Sequence, residues 1–401
     1  MRRRIQLIGA AVGIVCFLAS ACLLPIIDAA EDAGVTGDVA VAINAIRAVR
    51  AEGAGNEAAA QAWQVLARQD VDQLTTVLAG MDDAGPLATN WFRMAADAIA
   101  ERQLKQHGRL PLGVLEKFVF DRTHAPRARR SAFEWMVRVD PTAQARLMPR
   151  FLDDTSLELR RDAVQQVLDA AQEAEGAAAA ELYLKAFHAA RDLDQIKICI
   201  AEIEQQGRKI EVATHLGFLV DWQVIGPFDN TGQQGFDVAY PPEDRVDLAA
   251  SYDGKLGKVE WSGHHTPDDY GIVDLAEIYD KCKGAAAYAF TEFVVQERRQ
   301  VMLRLGCINA NKLWVNGKPL MTSEVYHAGM EVDQYVAVAQ FKQGKNTLLL
   351  KICQNEQEQP WAQRWQFQLR VTDDLGGAIL STDRRIENQA KLDRPDRPKT
   401  H

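Results

Sequence analysis

Residues 301–307 read Val-Met-Leu-Arg-Leu-Gly-Cys, and residues 313–318 read Leu-Trp-Val-Asn-Gly-Lys. In the first stretch apolar side chains occupy every second position, which is the period of a strand with one buried face. The second stretch is an apolar run that ends at Asn316-Gly317. This pair favours a two-residue hairpin turn, because both turn positions need positive φ. The two stretches therefore predict antiparallel strands.

The same pattern extends in both directions from this point. Trp365, Phe367, Leu369 and Val371 alternate with polar residues, and residues 347–353 form a mostly apolar run typical of a central strand. Many short strands separated by turns indicate an antiparallel β-sandwich or jelly roll, which we place at residues 216–375. In this sandwich we expect Asn309 and Asn311 to shape the turn before the hairpin.

The preceding residues, 38–215, have the pattern of helices. Apolar residues stand at positions i, i+3, i+4 and i+7, so that all four side chains lie on one helix face. Two such stripes are Leu74, Val77, Leu78 and Met81, and Ile196, Cys199, Ile200 and Ile203. The fold class predicted is therefore a multidomain α plus β protein, with a helical region followed by a sandwich.

The helical region contains a weak internal repeat. Arg129-Arg130-Ser131-Ala132 is matched by Arg160-Arg161-Asp162-Ala163, and Arg93-Met94-Ala95 is a fainter copy. This arrangement resembles HEAT-like repeats, in which a small alanine after the arginine lets paired helices approach closely. The alternative is an irregular helical bundle with accidental similarity.

The predicted sandwich also resembles a known domain. The pieces that match are residues 301–305, 313–318, 327–330 (His-Ala-Gly-Met) and 344–350 (Gly-Lys-Asn-Thr-Leu-Leu-Leu). They resemble the non-catalytic jelly-roll sugar-binding domain of beta-galactosidases and beta-glucuronidases, which implies a galactose-binding-like fold. No barrel sequence follows, so the catalytic groups of those hydrolases have no place here. Residues 222–230 look like a strand of exported bacterial proteins that join helical repeats to such a sandwich.

The first residues have the features of an export signal. Three arginines, Arg2 to Arg4, precede an apolar stretch from Ile5 to Leu24, and small residues lead up to Cys22. We predict a signal at residues 1–21 and a location in the periplasm or cell envelope. Three outcomes stay open: cleavage and release, lipidation of Cys22, or an uncleaved anchor. Contact with the membrane is expected only through that anchor or lipid.

Export would place the cysteines where disulfides persist. Cys307 and Cys353 each end a predicted strand, so they form either a disulfide or two small buried thiols, and the second alternative is favoured. No Cys-x-x-Cys occurs, which argues against redox and zinc motifs.

Charge argues against nucleic acid as a partner. The 401 residues have a formal net charge of −9, and binding to phosphate needs a positive field. One stretch is locally basic, and it either binds an anionic partner or is a solvated face neutralised by neighbouring acids; the second is favoured. Its arginines are Arg122, Arg127, Arg129, Arg130, Arg138, Arg146 and Arg150.

No motif for a catalytic nucleophile, a phosphate loop or a zinc protease occurs, so we expect a non-enzymatic protein. His264 and His265 with Asp268 and Asp269 form either a metal site or a solvated polar loop. Asp229-Asn230 forms either a structural calcium site or an Asx turn at a strand end. No other cofactor is expected.

Carbohydrate recognition requires an aromatic face for the sugar ring and amide or carboxylate groups for its hydroxyls. Residues of these types lie in predicted loops, and the alternative for the aromatic ones is packing over the end of the sandwich. The candidates are Trp261, Tyr270, His264, His265, Trp361, Asn355 and Gln357. We expect one shallow site at the loop end, with Trp261 and Trp361 as stacking surfaces.

Three functions follow from this sequence. The first is a binding protein of the cell envelope with glycan as ligand, and the second is a scaffold whose helical surface binds an envelope protein. The third is a hydrolase with an unrecognised site, which would use Asp229 or His265. The charged, proline-containing segment at 376–401 is predicted to be a disordered tail.

Overall fold

A computed structural model describes residues 38–383. Helices come first and antiparallel sheets follow, as the sequence predicts. The predicted signal, Cys22 and residues 384–401 lie outside the described part of the chain. Within 38–383, no helix is both long enough and apolar enough to cross a membrane.

The helical half, residues 38–216, packs through the predicted apolar stripes. Leu74, Val77 and Leu78 are buried on one short helix, and Ile196 and Cys199 are buried on another. The helices are α1 (Val39–Arg47), α2 (Asn56–Ala67), α3 (Leu74–Ala79), α4 (Pro86–His107), α5 (Leu112–Phe120), α6 (Pro126–Val139), α7 (Thr142–Leu147), α8 (Leu157–Glu173), α9 (Gly176–Ala189), α10 (Leu193–Gln205) and α11 (Val212–Leu216).

The arginines of the predicted basic stretch are largely neutralised by carboxylates on neighbouring helices and turns. This favours the solvated-face alternative for the exposed arginines, because a paired surface charge contributes little field for a partner, whereas Arg129 is buried and does not belong to that face. The pairs are Arg122–Asp153, Arg129–Asp154, Arg130–Asp162, Arg138–Glu101, Arg146–Glu116 and Arg150–Glu116.

The sheet half, residues 217–383, contains two antiparallel sheets and a separate hairpin. Its strands are β1 (Asp221–Asp229), β2 (Ser251–Gly254), β3 (Gly257–Glu260), β4 (Ser262–His265), β5 (Val273–Asp274), β6 (Ala285–Val295), β7 (Arg299–Cys307), β8 (Ala310–Val315), β9 (Lys318–Ser323), β10 (Tyr335–Phe341), β11 (Gly344–Gln354) and β12 (Gln366–Thr372). One sheet has six strands in the order β4-β1-β6-β11-β8-β9, and the other has four in the order β10-β7-β12-β5. Strands β2 and β3 form the hairpin, and two short helices, α12 (Pro241–Asp244) and α13 (Leu275–Ile278), lie in the connections.

The two sheets share one hydrophobic core. Leu303 and Leu305 from β7 meet Leu350 and Ile352 from β11 in this core, and Phe367 from β12 joins them. The other face of the six-stranded sheet is covered by residues 231–261, which build a second apolar cluster on it. Strand β11 is therefore buried on both faces, which explains why its sequence is a continuous apolar run instead of an alternating one.

The four cysteines in the described residues are free thiols. Cys307 faces the core between the sheets, whereas Cys353 faces the cluster on the opposite side of the six-stranded sheet. Side chains on opposite faces of a sheet cannot meet, so the Cys307–Cys353 disulfide does not form and the buried-thiol alternative is confirmed.

The predicted start of the disordered tail, residue 376, is wrong, because the chain is still ordered there. Residues 376–383 pack against the sheets: Ile379 is 5% exposed in the shared core, and its N–H donates to the carbonyl of Val371 at 2.9 Å. The Ser381 hydroxyl accepts a hydrogen bond of 2.7 Å from the N–H of Val294. An average over a charged window misses a single apolar anchor of this kind.

Three residues join the two halves by pairing with β12. The N–H of Leu219 donates to Leu369 at 2.9 Å, and the N–H of Val371 donates to Gly217 at 3.0 Å. Gly217 ends α11 with φ of +81°, and a Cβ there would lie 2.6 Å from the carbonyl oxygen of Val371. Both the positive φ and the close approach require glycine.

We therefore expect Gly217→Ala to lower the free energy of unfolding by about 2–3 kcal/mol, the sum of a left-handed backbone penalty and a steric clash. The matched control is Gly207→Ala, at φ of +73° with open space around its Cβ, which should lose only about 1 kcal/mol. Chemical denaturation of both variants checks the difference. Equal losses would show that the contact with Val371 does not matter.

Candidate functional site

One end of the sheet half brings several predicted site residues together. The end of β11, the loop that follows it and a 3₁₀ turn at Pro360–Ala362 supply Asn355, Gln357 and Trp361. The loop between β9 and β10 supplies His327. We call His327, Asn355, Gln357 and Trp361 the rim cluster.

Hydrogen bonds fix the polar members of the rim cluster. Nε2 of His327 lies 2.8 Å from Oδ1 of Asn355, and Nδ2 of Asn355 donates to Oε1 of Gln357 at 3.0 Å. The N–H of Gln357 also donates to Oδ1 of Asn355, at 3.2 Å. The buried Asn355 amide is therefore the centre of the network, and it orients both of its neighbours.

Trp361 stands at the edge of this network and is open to solvent. Its side chain is 58% exposed, and the ring of His327 meets it edge-on, with 5.2 Å between centroids. A large apolar ring usually buries most of its surface, so an exposed tryptophan beside fixed polar groups offers a face for a ligand.

The network also determines the form of the His327 ring. Because Oδ1 of Asn355 only accepts hydrogen bonds, Nε2 of His327 carries a proton and donates it to this bond. Nδ1 is buried and has no donor among the described residues. Among the described residues, the ring is therefore held by hydrogen bonding through Nε2 alone.

Buried amides and a lysine support the turn that carries Trp361. Nε2 of Gln354 donates to the carbonyl of Ala362 at 3.3 Å, and Nζ of Lys283 donates to the same carbonyl at 2.8 Å. Asn309 donates to the carbonyl of Arg364 at 3.5 Å, and Asn311 donates to that of Asn309 at 3.0 Å. Both asparagines are buried, and the bond from Asn311 to Asn309 lies at the turn between β7 and β8, as predicted. Asn309 also fastens the far side of the Trp361 segment.

Of the two structures predicted for Asp229-Asn230, a calcium site or an Asx turn, the hydrogen bonds are those of an Asx turn. Oδ1 of Asp229 accepts hydrogen bonds from the N–H and the hydroxyl of Thr231, and Nζ of Lys255 lies 3.1 Å away. The hydrogen bond from Thr231 is the main cause that lowers the pKa of Asp229. Asn230 is buried and donates to the carbonyl of Gln354 at 3.0 Å. The Asp229 carboxylate is thus bound by Thr231 and Lys255 of the same chain.

The predicted cluster of His264, His265, Asp268 and Asp269 does not converge. His264 and His265 are neighbours on β4, so their side chains point to opposite faces of the sheet. His265 pairs with Asp221, Nδ1 to Oδ1 at 2.6 Å, and Asp268 accepts the N–H of Tyr270 at 2.8 Å. Across residues 38–383, no three histidine, cysteine, aspartate or glutamate side chains are grouped to hold a metal ion.

Trp261 and Tyr270 lie away from the rim cluster. Trp261 packs against Phe290, with 6.2 Å between ring centroids, and Tyr270 packs against Phe218 beside the helical half. Phe290 is five residues along β6 from Ala285, which pairs with the end of β11; this is roughly 17 Å at about 3.3 Å per residue. The expected single site using both Trp261 and Trp361 is therefore not formed.

A second concave region lies near Trp261. It is a groove of about 500 Å³ lined in part by Asp221, Gln223, Phe290 and Glu292. Gln223 and Glu292 were not among the residues predicted from the sequence. A usable signal existed, since Glu292 is the single charged residue in the otherwise mostly apolar strand β6. Its carboxylate pairs with Lys345 at 2.7 Å.

Comparison with known proteins adds little to this geometry. No protein-family model matches the sequence, and no curated protein matches it. Two crystal structures of a beta-glucosidase from Kluyveromyces marxianus show weak similarity. The selenomethionine-labelled form is 16% identical over 27% of this chain and 12% of the enzyme, with a TM-score of 0.18. The glucose complex is 14% identical over 42% and 18%, with a TM-score of 0.24. The match spans less than a fifth of the enzyme's length and supports no functional argument.

Proposed function

We propose that this protein is a non-catalytic binding protein that recognises neutral glycans through the rim cluster. The observation that supports this most is the exposed face of Trp361 beside the fixed groups of His327, Asn355 and Gln357. A sugar ring placed on the indole would have the exposed amide of Gln357 close by for its hydroxyls. The rim cluster contains no carboxylate, lysine or arginine, which favours uncharged sugars.

Binding without catalysis is supported by the chemistry of the rim cluster. Glycoside hydrolysis generally needs two carboxyl groups placed on either side of the bond to be cleaved. The rim cluster consists of an indole, an imidazole and two amides, which can hold a sugar but do not include the pair of carboxyl groups. The exposed Glu356 nearby accepts the N–H of Gly232.

The finer architecture that we propose is a galactose-binding-like jelly roll after a HEAT-like array. Two antiparallel sheets around one core are compatible with the first. A repeated ion pair supports the second: Arg130 pairs with Asp162, and Arg161, one repeat later, pairs with Asp194. Equivalent positions thus make equivalent contacts to the next unit, as stacked repeats do.

We also propose that the protein works in the cell envelope, after export directed by residues 1–21. This rests on the basic start and the apolar stretch of the sequence. A glycan-binding surface would then face the polysaccharides outside the cytoplasm.

An array of neutral oligosaccharides tests the function. We expect the wild-type chain to bind a subset of them and Trp361→Ala to bind at least about tenfold more weakly, since it loses the stacking surface. Leu256→Ala is the matched control, because Leu256 is also a large exposed apolar side chain, at 75% exposure, but lies in the β2–β3 turn. Absence of binding by the wild type, or full binding by Trp361→Ala, would contradict the proposal.

A further inference from the structure

A further concave region, separate from the groove near Trp261 and from the rim cluster, lies where the two halves meet. It is a cleft of about 310 Å³ between the ends of α9 and α11 on one side and residues 376–380 on the other. Its polar lining includes Arg191, His188, His215 and Thr214, and no aspartate or glutamate is among the lining residues. Junctions between structural units are common places for small-molecule sites.

Arg191 gives this cleft its charge. One guanidinium nitrogen, Nη1, donates to three carbonyls at the end of α9, the nearest being Ala190 at 2.7 Å. Nε is buried without a partner, and no ion pair of Arg191 occurs among the described residues. Nη2 makes no hydrogen bond among the described residues and is open to solvent, so it is the guanidinium nitrogen that an anion in the cleft can reach.

The surroundings of Arg191 are also short of negative charge. Asp373 attracts Arg191 and Arg370 repels it, but neither Arg191 nor the buried Arg160 of α8 forms a salt bridge with a carboxylate among the described residues. Oδ1 of Asp373 is held by the N–H groups of Leu375 and Gly377 and not by Arg191. A buried cation without a full counter-charge is costly, so an anion bound here would lower that cost.

The remaining lining suits the rest of a small organic molecule. Leu216 and Leu380 provide apolar walls, and Thr214 provides a hydroxyl. Burial lowers the pKa of His215 to about 4, so its imidazole is neutral at pH 7 and offers hydrogen-bonding groups without charge. It stacks on Phe187, with 3.9 Å between ring centroids, which holds the ring in place.

We propose that this cleft binds a small aliphatic carboxylate, with the carboxylate on Nη2 of Arg191 and the aliphatic body between Leu216 and Leu380. The cation sets the charge of the ligand, and the apolar walls distinguish an organic acid from an inorganic anion. This site is independent of glycan recognition at the rim cluster.

Calorimetric titration of the full chain with hexanoate, acetate and inorganic phosphate tests the site. Hexanoate should bind, and acetate and phosphate should bind at least about tenfold more weakly, because each methylene buried against the walls adds affinity. Arg191→Gln should weaken hexanoate binding at least tenfold. Arg208→Gln is the control, since Arg208 is an exposed arginine that pairs with Glu181 outside the cleft.

A second variant separates binding from folding, because Arg191 also caps α9. His188→Glu changes an exposed residue of the cleft, leaves Arg191 in place and puts a carboxylate next to the bound anion. It should weaken hexanoate binding at least tenfold, while binding of neutral oligosaccharides stays unchanged. The proposal is overturned if the wild type does not bind hexanoate, if phosphate binds as tightly, or if both variants bind normally.

Discussion

Arg129→Met is expected to lower the free energy of unfolding by about 3–5 kcal/mol, because it would leave the carboxylate of Asp154 buried with only Nε of Arg122 at 3.8 Å in place of its two bonds from Arg129. The Arg129 side chain is 0% exposed and that of Asp154 is 1% exposed. Nη1 and Nη2 of the guanidinium bond to the two carboxylate oxygens, and Nε donates to the carbonyl of Val119 at 2.7 Å. One side chain therefore joins α5, α6 and the turn before α8.

Chemical denaturation of three variants measures this effect. The control is Arg138→Met, whose pair with Glu101 is exposed on both sides and should contribute less than about 1 kcal/mol. The double variant Arg129→Met with Asp154→Leu should recover part of the loss, since no unpaired charge remains. If Arg129→Met loses no more stability than Arg138→Met, the Arg129–Asp154 pair does not hold α5, α6 and the turn before α8 together.

Lys351→Met is expected to have a similar cost, about 3–5 kcal/mol, for the same reason. Lys351 is fully buried on β11, and its Nζ donates to Glu243 at 2.8 Å and to the carbonyls of Phe236 and Val238 at 3.1 and 2.7 Å. Tyr288 donates its hydroxyl to the same glutamate oxygen. The lysine thus fastens residues 236–243 across the outer face of the six-stranded sheet.

The natural control lies on the same strand. Lys345→Met removes an exposed pair with Glu292 and should cost less than about 1 kcal/mol. Limited proteolysis should also cut Lys351→Met faster within residues 231–250 than elsewhere, because this segment loses its hydrogen bonds to Lys351. If Lys351→Met and Lys345→Met unfold at the same denaturant concentration, Lys351 does not hold residues 236–243 on the sheet.

The sequence of helices followed by strands was predictable, because each element leaves a local period of apolar residues. The alternating stretch at residues 301–307 is β7, and the Asn316-Gly317 pair is the turn between β8 and β9, with φ of +51° and +74°. Face assignment was equally within reach: the period of two places His264 and His265 on opposite faces of one strand, so the predicted metal cluster could have been rejected once that segment was assigned as a strand.

The site was less predictable because its members are brought together by loops. Trp361, Asn355 and Gln357 lie close in sequence, and their residue types indicated binding. His327 comes from a different connection, and nothing in the sequence spacing places it against Trp361. The same holds for Lys351, since its partner Glu243 lies 108 residues away and only the folded chain shows that the buried charge is compensated.

The most direct test of the rim cluster observes the tryptophan indole N–H signals by ¹⁵N NMR while the tightest-binding oligosaccharide of the array is added. The chain has eight tryptophans, and Trp361→Phe and Trp261→Phe assign the two signals that matter. Glycan bound at the rim predicts that the Trp361 signal shifts in proportion to occupancy while that of Trp261 stays in place. A shift confined to Trp261, or no shift at saturating ligand, would contradict the account.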